Sequence, residues 1–303
     1  MSVTSSYRVC VVGLGSMGMG AALSCVKAGL ATSGIDLDAG RREAFAAQGA
    51  EAVAGAVADL PGDFDAVIVL VVNAAQARQV TLGPDGIAAR VKAGGAVMVS
   101  CTQSAEDARA LGTELQARGI LMLDAPVSGG AAKAAQGAMT VMASGPDAAF
   151  DALAPVLEAV AGKTYRIGSE IGQGATVKVI HQLLAGVHIA VGAEAMALAA
   201  RAGIPLDMMY DVVTNAAGNS WMFENRMKHV VDGDYTPNSA VDIFVKDLGL
   251  VTETGRSLGL PLPLASTAFA MFQQASNMGH GREDDSAVIK TFSGIDLPQG
   301  KTS

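Results

Sequence analysis

A short apolar strand that runs into three closely spaced glycines, and then into a helical pattern, constrains this chain more than any other feature. The segment reads Val9-Cys10-Val11-Val12-Gly13-Leu14-Gly15-Ser16-Met17-Gly18. Strand, G-x-G-x-x-G turn and helix in that order open a βαβ unit that can cradle a pyrophosphate. Gly13 permits the tight turn, Gly15 lets backbone approach the phosphates, and Gly18 lets the helix pack on the sheet. The backbone of Leu14, Ser16 and Met17 completes the loop. N–H groups and partial positive charge at the helix start suit phosphate oxygens.

Three glycines alone are weak evidence; an acidic residue at the end of the next strand strengthens them. Asp36 stands 23 positions after Gly13. Its carboxylate can accept hydrogen bonds from the adenosine ribose hydroxyls and would repel a 2′-phosphate, and Asp38 adds to that repulsion. The expected cofactor is NAD rather than NADP. Arg41 and Arg42 argue the reverse, and are read as solvated residues of the following helix. Ligands of open α/β sheets gather at the carboxyl ends of strands. Val71, Val72 and Asn73, and Thr102 after Cys101, are therefore further candidate cofactor contacts. The alternative for these is ordinary loop residues.

At 303 residues the chain fits two domains. Its first half alternates apolar runs with helical patterns. Candidate strands are Arg8–Gly13, Thr32–Asp36, Ala66–Val72, Ala96–Ser100 and Leu121–Asp124, with Thr140–Ser144 and Thr164–Gly168 flanking a helix over Pro146–Val160. That rhythm predicts βαβ units and a parallel sheet. After Gly174 the strand signals nearly stop. Ala175–Ala202 reads as one long helix, and helical segments follow as far as Asp284–Phe292. The expectation is an α/β domain over residues 1–170 and an all-helical domain over 171–303, joined by the long helix. Ile180–Ala200 is apolar enough to suggest a membrane span, but His181, Gln182, His188 and Glu194 interrupt it, and a buried helix is expected instead.

The formal net charge is −8, and there is no Lys/Arg run. No attraction to nucleic acid or anionic lipid is expected, so an anionic substrate must be captured locally. Three cysteines form no CxxC pair, and the polar start Met1–Arg8 does not read as a signal peptide. Both fit a reduced cytoplasm. Four histidines lack metal-ligand spacing, so no metal is expected.

Two later segments carry candidate chemistry. Asp124-Ala125-Pro126-Val127-Ser128-Gly129-Gly130 follows a strand at the same sheet edge. Glycines after a serine can expose consecutive N–H groups to a carboxylate; alone, the segment could equally be a Gly-rich turn. The second segment runs from Gly172 to Gln182 and sets Lys178 near the start of an apolar helix. The helix dipole and burial both disfavour its cation, lowering the pKa as a general acid/base requires. His181, Gln182 and His188 share its face. The bland alternative is a snorkelling lysine with satisfied core histidines.

In order along the chain, Gly13–Gly18, Asp124–Gly130, Gly172–Lys178 and Lys246-Asp247-Leu248 resemble the motifs of the β-hydroxyacid dehydrogenases, over nearly the whole sequence. That family includes 3-hydroxyisobutyrate dehydrogenase and tartronate semialdehyde reductase. The resemblance implies a Rossmann-type, doubly wound domain, an all-α domain and an active site in the cleft between them. It implies Lys178 as the catalytic lysine, Ser128-Gly129-Gly130 on the substrate carboxylate, and Lys246 beside the nicotinamide. Lys246 would then lower the Lys178 pKa by like-charge repulsion.

His181 and Gln182 depart from the asparagines common at these positions. The stretch His181–His188, like Ala131–Gly137, is most similar to the L-threonate-oxidising branch. The longer reach of Gln182 and the extra donor of His181 would suit a polyhydroxy acid as substrate. That branch implies oxidation at C2, from L-threonate to the 2-oxo acid 2-dehydro-L-erythronate; much of the family oxidises C3. The alternatives are a 3-hydroxyisobutyrate dehydrogenase, a tartronate semialdehyde reductase, an imine reductase on the same scaffold, or a non-catalytic dinucleotide-binding interaction module. Asn219, Ser220 and Trp221 could close over a substrate or form a turn around a buried Trp. Asp247 is read as a structural partner. The long apolar helix and Ala-rich helical half predict a homodimer or homotetramer.

Overall fold

The computed structural model describes residues 7–300. The chain divides into two compact units, one ending at Lys178 and the other beginning at Val179.

The first unit alternates strands and helices. In chain order these are β1 (Arg8–Val12), α1 (Ser16–Lys27), β2 (Ala31–Ile35), α2 (Ala39–Ala46), β3 (Ala52–Ala54), β4 (Phe64–Val69), α3 (Ala74–Leu82), β5 (Val91–Val99) and α4 (Ala105–Gln116). The unit continues with β6 (Leu121–Asp124), β7 (Val127–Ser128), α5 (Gly130–Ala135), β8 (Met139–Ser144), α6 (Asp147–Ala152), α7 (Ala154–Val160) and β9 (Ala161–Gly168). The sheet order is β3-β2-β1-β4-β5-β6-β8-β7, with β9 paired to β8. The central strands are continuous apolar runs because helices cover both faces, as buried parallel strands require. Val9, Val11, Ile68 and Met98 lie in one apolar cluster and Cys10, Val67, Val69 and Val97 in another.

One expectation is refined and two need correction. The sheet is parallel-dominant as expected but not wholly parallel, because β8 runs antiparallel to β6 and β7, while β3 to β6 and the β8–β9 pair are parallel. Strand Ala66–Val72 ends at Val69, leaving Val71 and Val72 in the following bend. The helix over Pro146–Val160 is two helices meeting at Leu153. Pro155 sits in the first turn of α7, where its missing N–H costs nothing; inside a continuous helix it would remove a hydrogen bond.

Helix α8 (Gln173–Arg201) carries the chain from the first unit into the second. The second unit continues with α9 (Leu206–Thr214), α10 (Trp221–Asp232), α11 (Val241–Ser257) and α12 (Pro263–Ala275). The expected last helix, Asp284–Phe292, is a tighter 3₁₀ turn over Asp285–Thr291. This unit packs around Ile189, Met196, Met227, Leu248 and Phe272. Helix α8 is long and apolar enough to cross a membrane, yet half of its most apolar window is buried inside the structure. Ile180, Leu184, Val191 and Leu198 remain exposed along one stripe.

Candidate active site

The glycine loop follows β1 and leads into α1. A Cβ on Gly13 (φ +94) would lie 2.5 Å from the Leu70 carbonyl oxygen, and one on Gly18 would lie 1.8 Å from that of Gly13. At Gly15 nothing comes closer than the Arg41 guanidinium, 3.9 Å away, so the loop is closed on the protein side and open towards a ligand. No side chain caps α1, which leaves its first N–H groups to an anion. Strand order reverses between β1 and β4, where ligands of open α/β sheets bind. Residues and geometry therefore fit a dinucleotide.

Asp36 follows β2 at this edge. Its carboxylate accepts the Leu14 N–H at 2.7 Å and the Asp38 N–H at 2.9 Å. Arg41 is not merely solvated, since its guanidinium lies 3.6 Å from Asp36 Oδ2. Arg42 donates to the Asp36 and Leu37 carbonyls, and Asp38 caps α2 through the Arg41 N–H. Val71, beside Gly13, stands at the ligand-facing edge. The Val72 N–H donates to Gln76 Oε1, and Asn73 caps α3 through the Gln76 N–H at 2.9 Å. Thr102 follows β5 and is half-buried.

Beyond β6, Ser128 pairs with Thr140 of β8, and Gly129 (φ +128) and Gly130 (φ +69) turn the chain into α5. No side chain caps α5.

Asp124 and Ser144, named above only as parts of their segments and given no role of their own, are both fully buried at the ends of β6 and β8. Asp124 Oδ2 accepts the N–H groups of Gly172 at 2.9 Å and Ala175 at 2.8 Å, and Ser144 Oγ accepts that of Gly174 at 2.9 Å. Burial pushes the Asp124 carboxyl up to about 6, although these donors and the Arg109 charge pull it down. The signal was present in the strand-ending Asp and the Gly172-Gln173-Gly174 spacing, but nothing in the sequence joins them. One turn after Ala175 comes Lys178, which is 6% exposed and is no snorkelling surface lysine.

In the second unit, His181 Nδ1 lies 2.9 Å from Gln182 Oε1. The Gln182 amide donates to Asp247, whose other oxygen pairs with Lys246. Asp247 is thus a structural partner of both. It also balances the Lys246 charge. His188, Asn219 and Ser220 line a cavity of about 310 Å³. Ser220 caps α10, and Trp221 is 55% exposed rather than buried. Among the described residues no cluster of His, Cys, Asp or Glu is placed to hold a metal ion.

Comparison with known proteins accords with this geometry. Residues 8–168 match the NAD binding domain of 6-phosphogluconate dehydrogenase, and residues 172–292 match the NAD-binding of NADP-dependent 3-hydroxyisobutyrate dehydrogenase model. The chain is 67% identical to an L-threonate dehydrogenase of Haemophilus influenzae, covering 97% of this chain and 98% of that one. It is 67% identical to one from Escherichia coli O6:H1, covering all of both. A crystal structure described as 3-hydroxyisobutyrate dehydrogenase from Salmonella typhimurium superposes with a TM-score of 0.92 at 65% identity, covering 95% of this chain and all of that one. With both domain models matched and relatives this similar over their full length, the chain belongs to the NAD-dependent hydroxyacid dehydrogenase family.

Proposed function

We propose that this protein oxidises L-threonate at C2 to the 2-oxo acid 2-dehydro-L-erythronate, with NAD as cofactor and Lys178 as general acid/base. The observation that carries the reading is the buried Lys178 at the first turns of α8, in a chain 67% identical to enzymes named for that substrate. Gly13, Leu14, Gly15, Ser16, Met17 and Gly18 would hold the pyrophosphate, and Asp36 the adenosine ribose. Val71, Val72, Asn73, Thr102 and Lys246 are the remaining proposed cofactor contacts; Asn73 would act while capping α3. Bound NAD supplies the acceptor for a hydride.

Ser128, Gly129 and Gly130 take the substrate carboxylate on their polar groups. Lys178 Nζ, neutral in the working state, removes the C2 hydroxyl proton while the C2–H bond breaks and its electron pair leaves with the hydrogen. The C2–O bond becomes a carbonyl, and Lys178 holds the proton for release to solvent. His181 and Gln182 offer hydrogen bonds to the further hydroxyls of a sugar acid. Lys178→Ala should cut turnover by about 10²–10⁴-fold and leave NAD binding intact.

A second reading, a 3-hydroxyisobutyrate dehydrogenase, is favoured by the name of the Salmonella structure at almost the same identity. NADH absorbance with L-threonate, D-erythronate, 3-hydroxyisobutyrate, D-glycerate and serine separates the two. The expected outcome is the highest kcat/KM on L-threonate. The second reading wins if 3-hydroxyisobutyrate is preferred, and silence on all five leaves a binding module.

A homodimer or homotetramer in the cytoplasm completes the reading. The exposed stripe Ile180, Leu184, Val191 and Leu198 is the kind of apolar face that a second copy would cover. Leu184→Glu should lower the mass measured by light scattering if the stripe is an interface. Cys10 and Cys25 are buried free thiols, which fits a reducing compartment.

A further inference from the structure

We infer that Asp124, assisted by Ser144, is a positioning residue that fixes the start of α8, and with it Lys178, against the Ser128–Gly130 loop. The inference rests on the reading of Lys178 as the catalytic base.

A helix leaves its first N–H groups without intrahelical partners. Here three N–H groups at the start of α8, those of Gly172, Gly174 and Ala175, are bound by two side chains from neighbouring strand ends. Asp124 and Ser144 are also the one residue pair that joins β6 to β8, and their side chains lie 3.4 Å apart. The approach is close enough to dictate glycine. A Cβ on Gly174 would lie 2.5 Å from the Asp124 carbonyl oxygen and 2.6 Å from that of Met142. Gly172 has φ +99, and a Cβ there would lie 2.9 Å from the Ala105 carbonyl oxygen.

The same residue commands both halves of the proposed chemistry. Downstream of Asp124, Ala125, Pro126 and Val127 lead to Ser128, which is pinned to Thr140. Across the carboxylate stands Ala175, and Lys178 follows one turn later, about 4.5 Å along the helix axis. Misplacing a catalytic group by about 1 Å can cost about 100-fold in rate.

The choice of a carboxylate is informative. A buried anion is expensive where a serine or asparagine could cap a helix start more cheaply. The Arg109 charge on α4 pulls the Asp124 pKa down, and Gly172, Ala175 and Ser144 are its direct partners. A fixed negative charge at this helix start also opposes the dipole that disfavours a cation at Lys178. Asp124 therefore sets the proton affinity of the lysine as well as its position.

The test compares Asp124→Asn, Ser144→Ala and Lys178→Ala with the parent enzyme, measuring kcat against pH and NAD affinity. In Asp124→Asn, kcat should fall about 10- to 100-fold while NAD affinity changes less than about threefold. The acid limb of kcat should move to lower pH, because removing an anion disfavours the protonated lysine. Unchanged kcat overturns the inference, as does an equal loss at every pH with an unmoved limb, which is what a merely structural role gives. If Asp124→Asn does not fold, Ser144→Ala removes the Gly174 acceptor without touching the charge. Its kcat should then fall about three- to tenfold, and unchanged kcat overturns the proposal. Near-normal turnover in Lys178→Ala would refute the reading of the lysine itself. A dead Lys178→Ala beside a normal Asp124→Asn would refute only the positioning role.

Discussion

Asp36 and Asp124 both stand at the carboxyl edge of the same sheet, and both accept backbone N–H groups. Asp36 holds Leu14 in the glycine loop, while Asp124 holds Gly172 and Ala175 at the start of α8. The side chain of Asp36 keeps 10% of its surface exposed, and Asp124 keeps none. A carboxylate at the rim can hold the protein's own loop and still receive a ribose. A carboxylate sealed beneath the rim can act on a ligand only through the backbone it holds. In the roles proposed above, identical side chains at equivalent strand ends would serve recognition in one case and positioning in the other, with exposure deciding which.

The glycines beside each carboxylate give the sharpest way to break that division. Gly18→Ala would set a Cβ 1.8 Å from the Gly13 carbonyl oxygen, so the cofactor loop must open. NAD affinity by calorimetry should fall at least about 100-fold, about 2.7 kcal/mol. Gly174→Ala would press on the Asp124 and Met142 carbonyls instead. It should leave NAD affinity within about threefold while kcat falls about 10- to 100-fold. If Gly174→Ala abolished NAD binding as thoroughly as Gly18→Ala, the two strand ends would be one cooperative site and the comparison would fail.

Asp36→Ala is the next largest test. It removes an acceptor from the proposed ribose site and from the Leu14 N–H, and NAD affinity should weaken about tenfold. NADP should gain relative to NAD, because a repelling carboxylate disappears and Arg41 is left 3.9 Å from the open side of Gly15. An unchanged NAD-to-NADP ratio would mean that Asp36 serves the loop alone.

The contrast also explains what could be read from the sequence. Asp36 was legible because the glycine loop and the second strand are adjacent in the chain and keep a regular spacing. Asp124 was not, because its partners lie 48 and 51 residues away and meet it only when β6, β8 and α8 assemble. Alternating apolar runs revealed the central strands, whereas the two-residue β7 and three-residue β3 are too short to show any period. The antiparallel placement of β8 was invisible for a different reason: periodicity gives the element and not its direction. Lys178 stood out as a cation in an apolar helix. The Asp247 link between Gln182 and Lys246 needed the fold of the second unit, since 65 residues separate its ends.

The smallest expected effect separates stability from function at Asp124. Burial lifts its carboxyl to about 6 in the folded state, above the ordinary carboxylate value of 3.8. The folded state therefore binds more protons than the unfolded state between these values, and stability falls as pH rises from about 4 to 6. Asp285 adds a similar slope, because burial lifts it to about 7 even beside Arg226, whose Nε is 2.7 Å away. Asparagine mimics the protonated acid, so Asp124→Asn should match the parent in Tm near pH 4 and exceed it by about 2–4 °C near pH 7. The Asp285 slope should remain in both proteins. A variant that is more stable at neutral pH and yet slower would mark Asp124 as a charge retained for turnover at a cost to folding. A variant less stable at every pH would show that the carboxylate serves the fold, and would return Asp124 to the structural role that its burial first suggests.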